Sequence, residues 1–143
     1  METTNTTKEI VNKFYEAKSH KGEWQTMFSD EVTFKGTGMP SLKGKQPVIE
    51  ITNDLLTRLE SYEMKNIFED DDTATVLNNY HLIIPKGDRF ILETAEIVKV
   101  KNGKINSFDV YFDTATFGSF MAKFQNELKE TLWHTINFFD LKT

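Results

Sequence analysis

The strand-like segment RFILETAEIVKV sets Ile91, Glu93, Ala95 and Ile97 on one face, so Glu93 interrupts a row that is otherwise apolar. A carboxylate taken out of water has its pKa raised, by up to several units when burial is complete, and so becomes a general acid or base near neutral pH. The alternative is a glutamate satisfied by a neighbouring strand or exposed at a sheet edge, since perturbed carboxylates also occur without catalysis. In the preceding segment, Leu77, Asn79, His81 and Ile83 alternate with Val76, Asn78, Tyr80, Leu82 and Ile84. Both of its faces are mixed, so alternation alone does not say which points inward. In the segment KINSFDVYF, Phe108, Val110 and Phe112 share a face suited to an apolar cavity, while Ile105, Ser107, Asp109 and Tyr111 share the other. Asp109 and Asp113 then read as solvent or dimer-interface groups.

Other chemistries find little support. His20, His81 and His134 fall in different elements without metal-ligand spacing, so no metal and no cofactor is implied. The run Glu69-Asp70-Asp71-Asp72 lacks the glycine and the distal glutamate of a calcium loop and reads as a solvated turn. The G-x-G of FKGTGMP has no GxxG continuation or helix start, and no G-x-S-x-G elbow occurs. With no cysteine, disulfides and thiolate sites are excluded.

At 143 residues the chain is expected to form one domain that buries roughly two-thirds of its unfolded surface. The charge of −5 is modest and the 17 basic residues are scattered, which argues against a nucleic-acid partner. The N-terminus lacks a secretory pattern, and no stretch approaches the roughly 18 apolar residues of a membrane span. A cytoplasmic protein without a membrane partner is the expectation. The 12 phenylalanines exceed what a core of this size needs and suit an aromatic-walled cavity.

The elements that must position these residues follow from periodicity. Thr6-x-x-Glu9 has the capping-box form, and Ile10, Val11, Phe14 and Tyr15 continue it as a helix to about Lys18. A brief helical turn carries Trp24 and Phe28 inward, and VTFKG is a strand. Pro47 sits in the first turn of a helix with the stripe Val48, Ile51, Leu55 and Leu59. Four β-like segments then follow, separated by the turns EDDD, PKGD and KNG, and their short links imply an antiparallel meander. From 116 to 139, Phe120, Phe124, Leu128, Leu132 and Ile136 lie on one stripe of a C-terminal helix.

The order of these elements, with the segments NKFYEA, MFSDEVTFKG, SLKGKQPVIE and GKINSFDVYFDTATF, resembles the nuclear transport factor 2-like superfamily in its SnoaL-like and ketosteroid isomerase-like branch. The resemblance implies an α+β fold, a cone-shaped curved antiparallel sheet wrapped around N-terminal helices (a cystatin-like roll). Its core would span about 8–122, with an additional helical extension over about 116–139. It also implies a pocket at the open end of the cone and pairing of two copies through the outer sheet face. Ile105 and Tyr111, with Leu92, Thr94 and Val98, are expected to make that face apolar enough for a homodimer.

Matching the PKGD turn to the isomerase hairpin points Asn79 and His81 inward beside Glu93, whereas a four-residue loop would set Tyr80 opposite Glu93. The isomerases use an Asp base and an oxyanion hole of tyrosine and protonated aspartate. Their base position matches Gly36, the protonated acid matches Glu93, and the first-helix tyrosine matches Phe14, with Tyr15 beside it facing differently. Two of the three groups are missing or altered, so ketosteroid isomerase activity is not implied. The central aspartate of the limonene-epoxide hydrolases falls on Val110, which excludes that chemistry too.

The resulting expectation is a protein that binds a small apolar molecule, with Glu93 and His81 as catalytic candidates. Phe14, Tyr15, Phe34, Asn79, Phe108, Val110 and Phe112 are the ligand-binding candidates. One reading is an isomerase- or cyclase-type enzyme acting by proton transfer on a hydrophobic carbonyl compound. The alternatives are a non-catalytic binding module and a dimeric scaffold with a filled pocket.

Overall fold

The computed structural model describes residues 6–20, 22–83, 88–113, 115 and 122. The expected C-terminal helix over 116–139 and most of the PKGD turn lie outside the described residues.

The chain opens with helix α1 (Thr7–Ser19). Its capping box forms as the sequence requires: the Glu9 N–H donates to Thr6 Oγ1 at 3.1 Å, and the Thr6 N–H donates to Glu9 Oε1 at 2.9 Å. The helix buries Ile10, Val11, Phe14, Tyr15 and Lys18 against the sheet. A single 3-10 turn, Gln25–Met27, separates buried Trp24 from buried Phe28. Strand β1 (Phe28–Gly36) and the two-residue strand β2 (Leu42–Lys43) lead into helix α2 (Lys45–Leu56), where Pro47 takes a first-turn position that needs no N–H. Strands β3 (Leu59–Asp70), β4 (Thr73–Ile83), β5 (Arg89–Lys101) and β6 (Lys104–Phe112) complete the described elements. Leu59, expected at the end of the α2 stripe, instead begins β3.

All six strands form one open sheet in the order β2-β1-β6-β5-β4-β3. The four later strands make the expected antiparallel meander. Strand β1, however, runs parallel to β6, pairing Phe34 with Phe108, so the sheet is mixed and not wholly antiparallel. The β5–β6 hairpin closes through Asn102 and Gly103, both at positive φ (52° and 77°), the geometry that favours Asn-Gly in two-residue hairpins. Register shifts in the β1–β6, β3–β4 and β5–β6 pairings mark bulges that bend the sheet.

Helix α1 lies across the concave face and is tied to the β3–β4 turn. Thr7 Oγ1 donates to the Asp71 carbonyl at 2.7 Å, and the Lys8 N–H donates to Glu69 Oε2 at 3.0 Å. The core between helices and sheet gathers Val11, Phe14, Phe28, Val32, Val48, Val76, Val98 and Ile105. Fully burying each such side chain contributes about 1.5–3 kcal/mol.

Two strand faces differ from expectation. In β5 the inward row is Leu92, Thr94, Glu96, Val98 and Val100, whereas Glu93 is exposed and Ile91 is 51% exposed. In β6 the shift between Lys99 and Val100 breaks the strict alternation, so Ile105 and Phe108 both turn inward. Of the five residues expected to make the outer face apolar, Leu92, Thr94, Val98 and Ile105 are therefore buried within, and Tyr111, 47% exposed, remains outside. No helix among the described residues is long and apolar enough to cross a membrane.

Candidate functional site

Between α1, α2 and the concave face of the sheet lies a cavity of about 260 Å³. Its wall is almost wholly apolar: Phe34, Met39, Ile51, Leu55, Leu82, Leu92, Phe108, Val110 and Phe112. The aromatic side chains of the described residues leave it open and do not plug it. At its polar end stand Lys18, Tyr80, Thr94 and Glu96, and the lining also includes Thr52 and Asp54 of α2 and Arg58 just after that helix.

The polar end is built from three elements. Glu96 projects inward from β5 and is only 1% exposed. Thr94, two residues earlier on the same face, donates to its Oε2 at 2.7 Å. Tyr80 of β4 donates to the same oxygen at 2.8 Å, and Tyr15 of α1 donates to Oε1. Three hydroxyls thus satisfy a carboxylate that could not otherwise be held in an apolar core. Lys18, one turn beyond Tyr15 and 2% exposed, donates from Nζ to Tyr80 Oη at 3.1 Å. Its ammonium lies 4.3 Å from the Tyr15 ring centre and 5.1–5.3 Å from those of Phe14, Phe108 and Tyr80, an aromatic box with cation–π geometry. Tyr80 therefore connects the buried cation to the buried anion. A second layer supports it, since Tyr62 stacks on Tyr15 with centroids 6.0 Å apart and donates to Asn78 Oδ1.

The electrostatics follow from burial. Removal from water pushes Lys18 down to about 8, opposed by the attraction of Glu96. Burial first, and the Glu96 charge second, push Tyr15 and Tyr80 well above the ordinary phenol value, so both remain protonated donors. Tyr62 is raised for the same two reasons.

This gives a testable pH dependence. Between about 8 and 10.5 the unfolded chain holds a proton on Lys18 that the folded chain lacks, so stability rises with pH there. Below about 8 both states are charged and folding bears the full cost of burying the ammonium. Above about 10 the buried tyrosines reverse the trend, because the unfolded chain ionises them first. Urea midpoints should therefore report a net gain of roughly 1 kcal/mol from pH 8 to 9.5, the Lys18 contribution at about 1.36 kcal/mol per pKa unit being partly offset by the onset of tyrosine ionisation in the unfolded chain. A Lys18→Met variant should lose this rise, and a wild-type profile that is flat or falling across that window would show that the ammonium is not desolvated.

Of the residues singled out in the sequence, Phe34, Phe108, Val110 and Phe112 line the cavity. Phe14 and Tyr15 are buried behind its polar end. Glu93, Asn79 and His81 do not enter it: Glu93 does pair with Asn79 across β4 and β5, but both point to the outer face. The Asn79 amide there reaches Glu63 Oε1 at 3.5 Å. The physical reason is the company each carboxylate finds. The concave side offers Glu96 three hydroxyls and leaves Leu92, Val98 and Val100 to fill the core, whereas Glu93 has solvent. Among the described residues no group of three or more His, Asp or Glu side chains could hold a metal.

Neither a family model nor a curated protein sequence matches the chain. Solved structures do. An NTF2-like protein from Burkholderia thailandensis superposes with a TM-score of 0.73 at 16% identity, covering 82% of this chain and 98% of its own. A putative SnoaL-like polyketide cyclase from Jannaschia sp. CCS1 gives 0.69 at 9% identity, over 83% of this chain and 95% of its own. The chain has the NTF2-like fold. A third structure similar in shape is SalBIII, an epoxide hydrolase/cyclase-like enzyme in pyran ring formation in the polyether salinomycin. It superposes at 0.70 and 18% identity, over 77% of this chain and 92% of its own.

Within this NTF2-like cone, Lys18, Tyr80, Thr94 and Glu96 were not visible as a site from strand alternation. One signal was present. Lys18 lies four residues after Phe14 and three after Tyr15, on the apolar stripe of its helix, where a lysine has no business unless something inside answers it.

Proposed function

We propose that this protein is an isomerase- or cyclase-type enzyme that admits a hydrophobic carbonyl compound into the cone and moves a proton at the carbon beside the carbonyl. The observation that carries the reading is the convergence of a buried ammonium and a buried, triply hydrogen-bonded carboxylate at one end of an otherwise apolar cavity. A cavity that only sequesters has no use for two charges whose desolvation costs several kcal/mol each. A lysine that burial pulls toward neutrality, in a cleft beside a buried acid, is instead what proton transfer needs.

The roles follow from the geometry. Lys18, which lines the cavity, spends one N–H on Tyr80 and has two left, with which it would hold a carbonyl oxygen and stabilise the oxyanion formed on enolisation. Among the described residues Glu96 Oε1 accepts from Tyr15 alone, which leaves a lone pair for the abstracted proton. Tyr80, bonded to both, lets the charges adjust together. The almost wholly apolar wall of the cavity supports a substrate that is mostly hydrocarbon.

Exchange of α-protons tests this. Cyclohexanone in deuterated buffer should lose its α-protons faster with the protein than without it, and Glu96→Gln should remove the acceleration without unfolding the chain. Binding of the ketone with no acceleration would favour the second reading, a sequestering protein, for which the apolar wall is the supporting observation.

A further inference from the structure

The amine of Lys18 is placed unlike one that merely neutralises a carboxylate. Tyr80 stands between it and Glu96, four ring faces surround its nitrogen, and its side chain is part of the cavity lining. The titratable or charged groups around it are Tyr15 on its own helix, Tyr80 on β4 and Glu96 on β5, and the cavity lining adds Asp54 of α2 and Arg58 just after it. We propose, resting on the carbonyl reading above, that Lys18 is a nucleophile whose amine forms an imine with an apolar aldehyde or ketone bound in the cone.

In the first step the neutral nitrogen adds to the carbonyl carbon. A C–N bond forms, the π pair moves to oxygen, and the nitrogen's proton passes through Tyr80 Oη toward Glu96. The oxygen takes up one proton from solvent water, the single proton consumed overall, and becomes the hydroxyl of a carbinolamine. In the second step the C–O bond breaks, the hydroxyl leaves as water on receiving the proton held at Glu96, and the nitrogen lone pair closes the C=N bond. Nothing is oxidised or reduced, and addition of water reverses both steps. The iminium so formed draws electrons from the neighbouring carbon more strongly than the carbonyl does, which eases the proton removal assigned to Glu96.

The apolar enclosure favours such a nucleophile, since desolvation keeps an amine neutral and slows imine hydrolysis. With Lys18 lowered to about 8, roughly a tenth of the molecules carry the free amine at pH 7, against about one in three thousand for an exposed lysine.

The test uses the full chain with benzaldehyde, which cannot enolise, and cyanoborohydride to reduce any imine. Peptide mapping should find the first benzyl group on Lys18, installed about two orders of magnitude faster at pH 7 than on surface lysines, with a rate that levels off above pH 8. Lys18→Arg should abolish that fast phase, and because mapping is done on the wild type, the result does not depend on the variant folding. Labelling spread over surface lysines, with Lys18 unmodified, overturns the imine. If cyclohexanone exchange persists in that case, the proton-transfer reading stands without it. Fast labelling of Lys18 without exchange upholds the imine and removes the proton transfer.

Discussion

Replacing Glu96 by leucine is expected to destabilise the fold by about 3–5 kcal/mol, the usual cost of removing one partner from a buried charge pair. The substitution leaves the Lys18 ammonium inside an aromatic box with no counter-charge. It also strips the hydroxyls of Tyr15, Tyr80 and Thr94 of their shared acceptor. Lys18 should respond by falling further below its already lowered value, since Glu96 is what holds it up. Lys18→Met alone should be far milder, because Glu96 keeps three hydroxyl donors and a thioether packs well among aromatic rings. The double variant Lys18→Met/Glu96→Leu should then lie closer to wild type than Glu96→Leu does. Denaturant midpoints of the four proteins measure the coupling, and additive losses would mean that the two charges do not depend on each other.

Lys18→Met should lower the rate of α-proton exchange on cyclohexanone by about 10²–10³, the loss seen when one preorganised oxyanion donor is removed. Because the thioether neither donates a hydrogen bond nor carries charge, the effect should fall on the rate at saturation more than on affinity for the ketone. Its wall-facing counterpart, Phe112→Ala, should do the opposite, weakening binding of the apolar body and leaving the saturated rate nearly intact. A Lys18→Met protein that exchanges at the wild-type rate would place the oxyanion elsewhere in the cone.

Much of the architecture was legible because it is locally encoded. The Thr6–Glu9 capping box, Pro47 in the first turn of α2 and the Asn102-Gly103 hairpin each rest on a few neighbouring residues. Cavity-lining Phe34, Phe108, Val110 and Phe112 were legible for the same reason. The polar end was not. Strand β5 carries a glutamate of each parity, Glu93 and Glu96, amid apolar residues on both faces, so period-two alternation cannot choose between them. What chooses is remote: Tyr15 and Lys18 arrive from α1 and Tyr80 from β4. The parallel pairing of β1 with β6 and the bulge that turns Ile105 inward are likewise decided by contacts far along the chain.

The tie between α1 and the β3–β4 turn, with the bonds from Tyr15 to Glu96 and from Lys18 to Tyr80, joins residues 61 to 81 positions apart. During synthesis the opening helix therefore emerges with a lysine on its sticky side long before the strands that answer it exist. Closing loops of that length comes late in folding, because the entropy of closure is spent before the contact repays it. No nascent chain that stops short of β5 can seat Lys18 as the finished protein does. Its amine is thus kept in water and protonated until the rest of the molecule has been made.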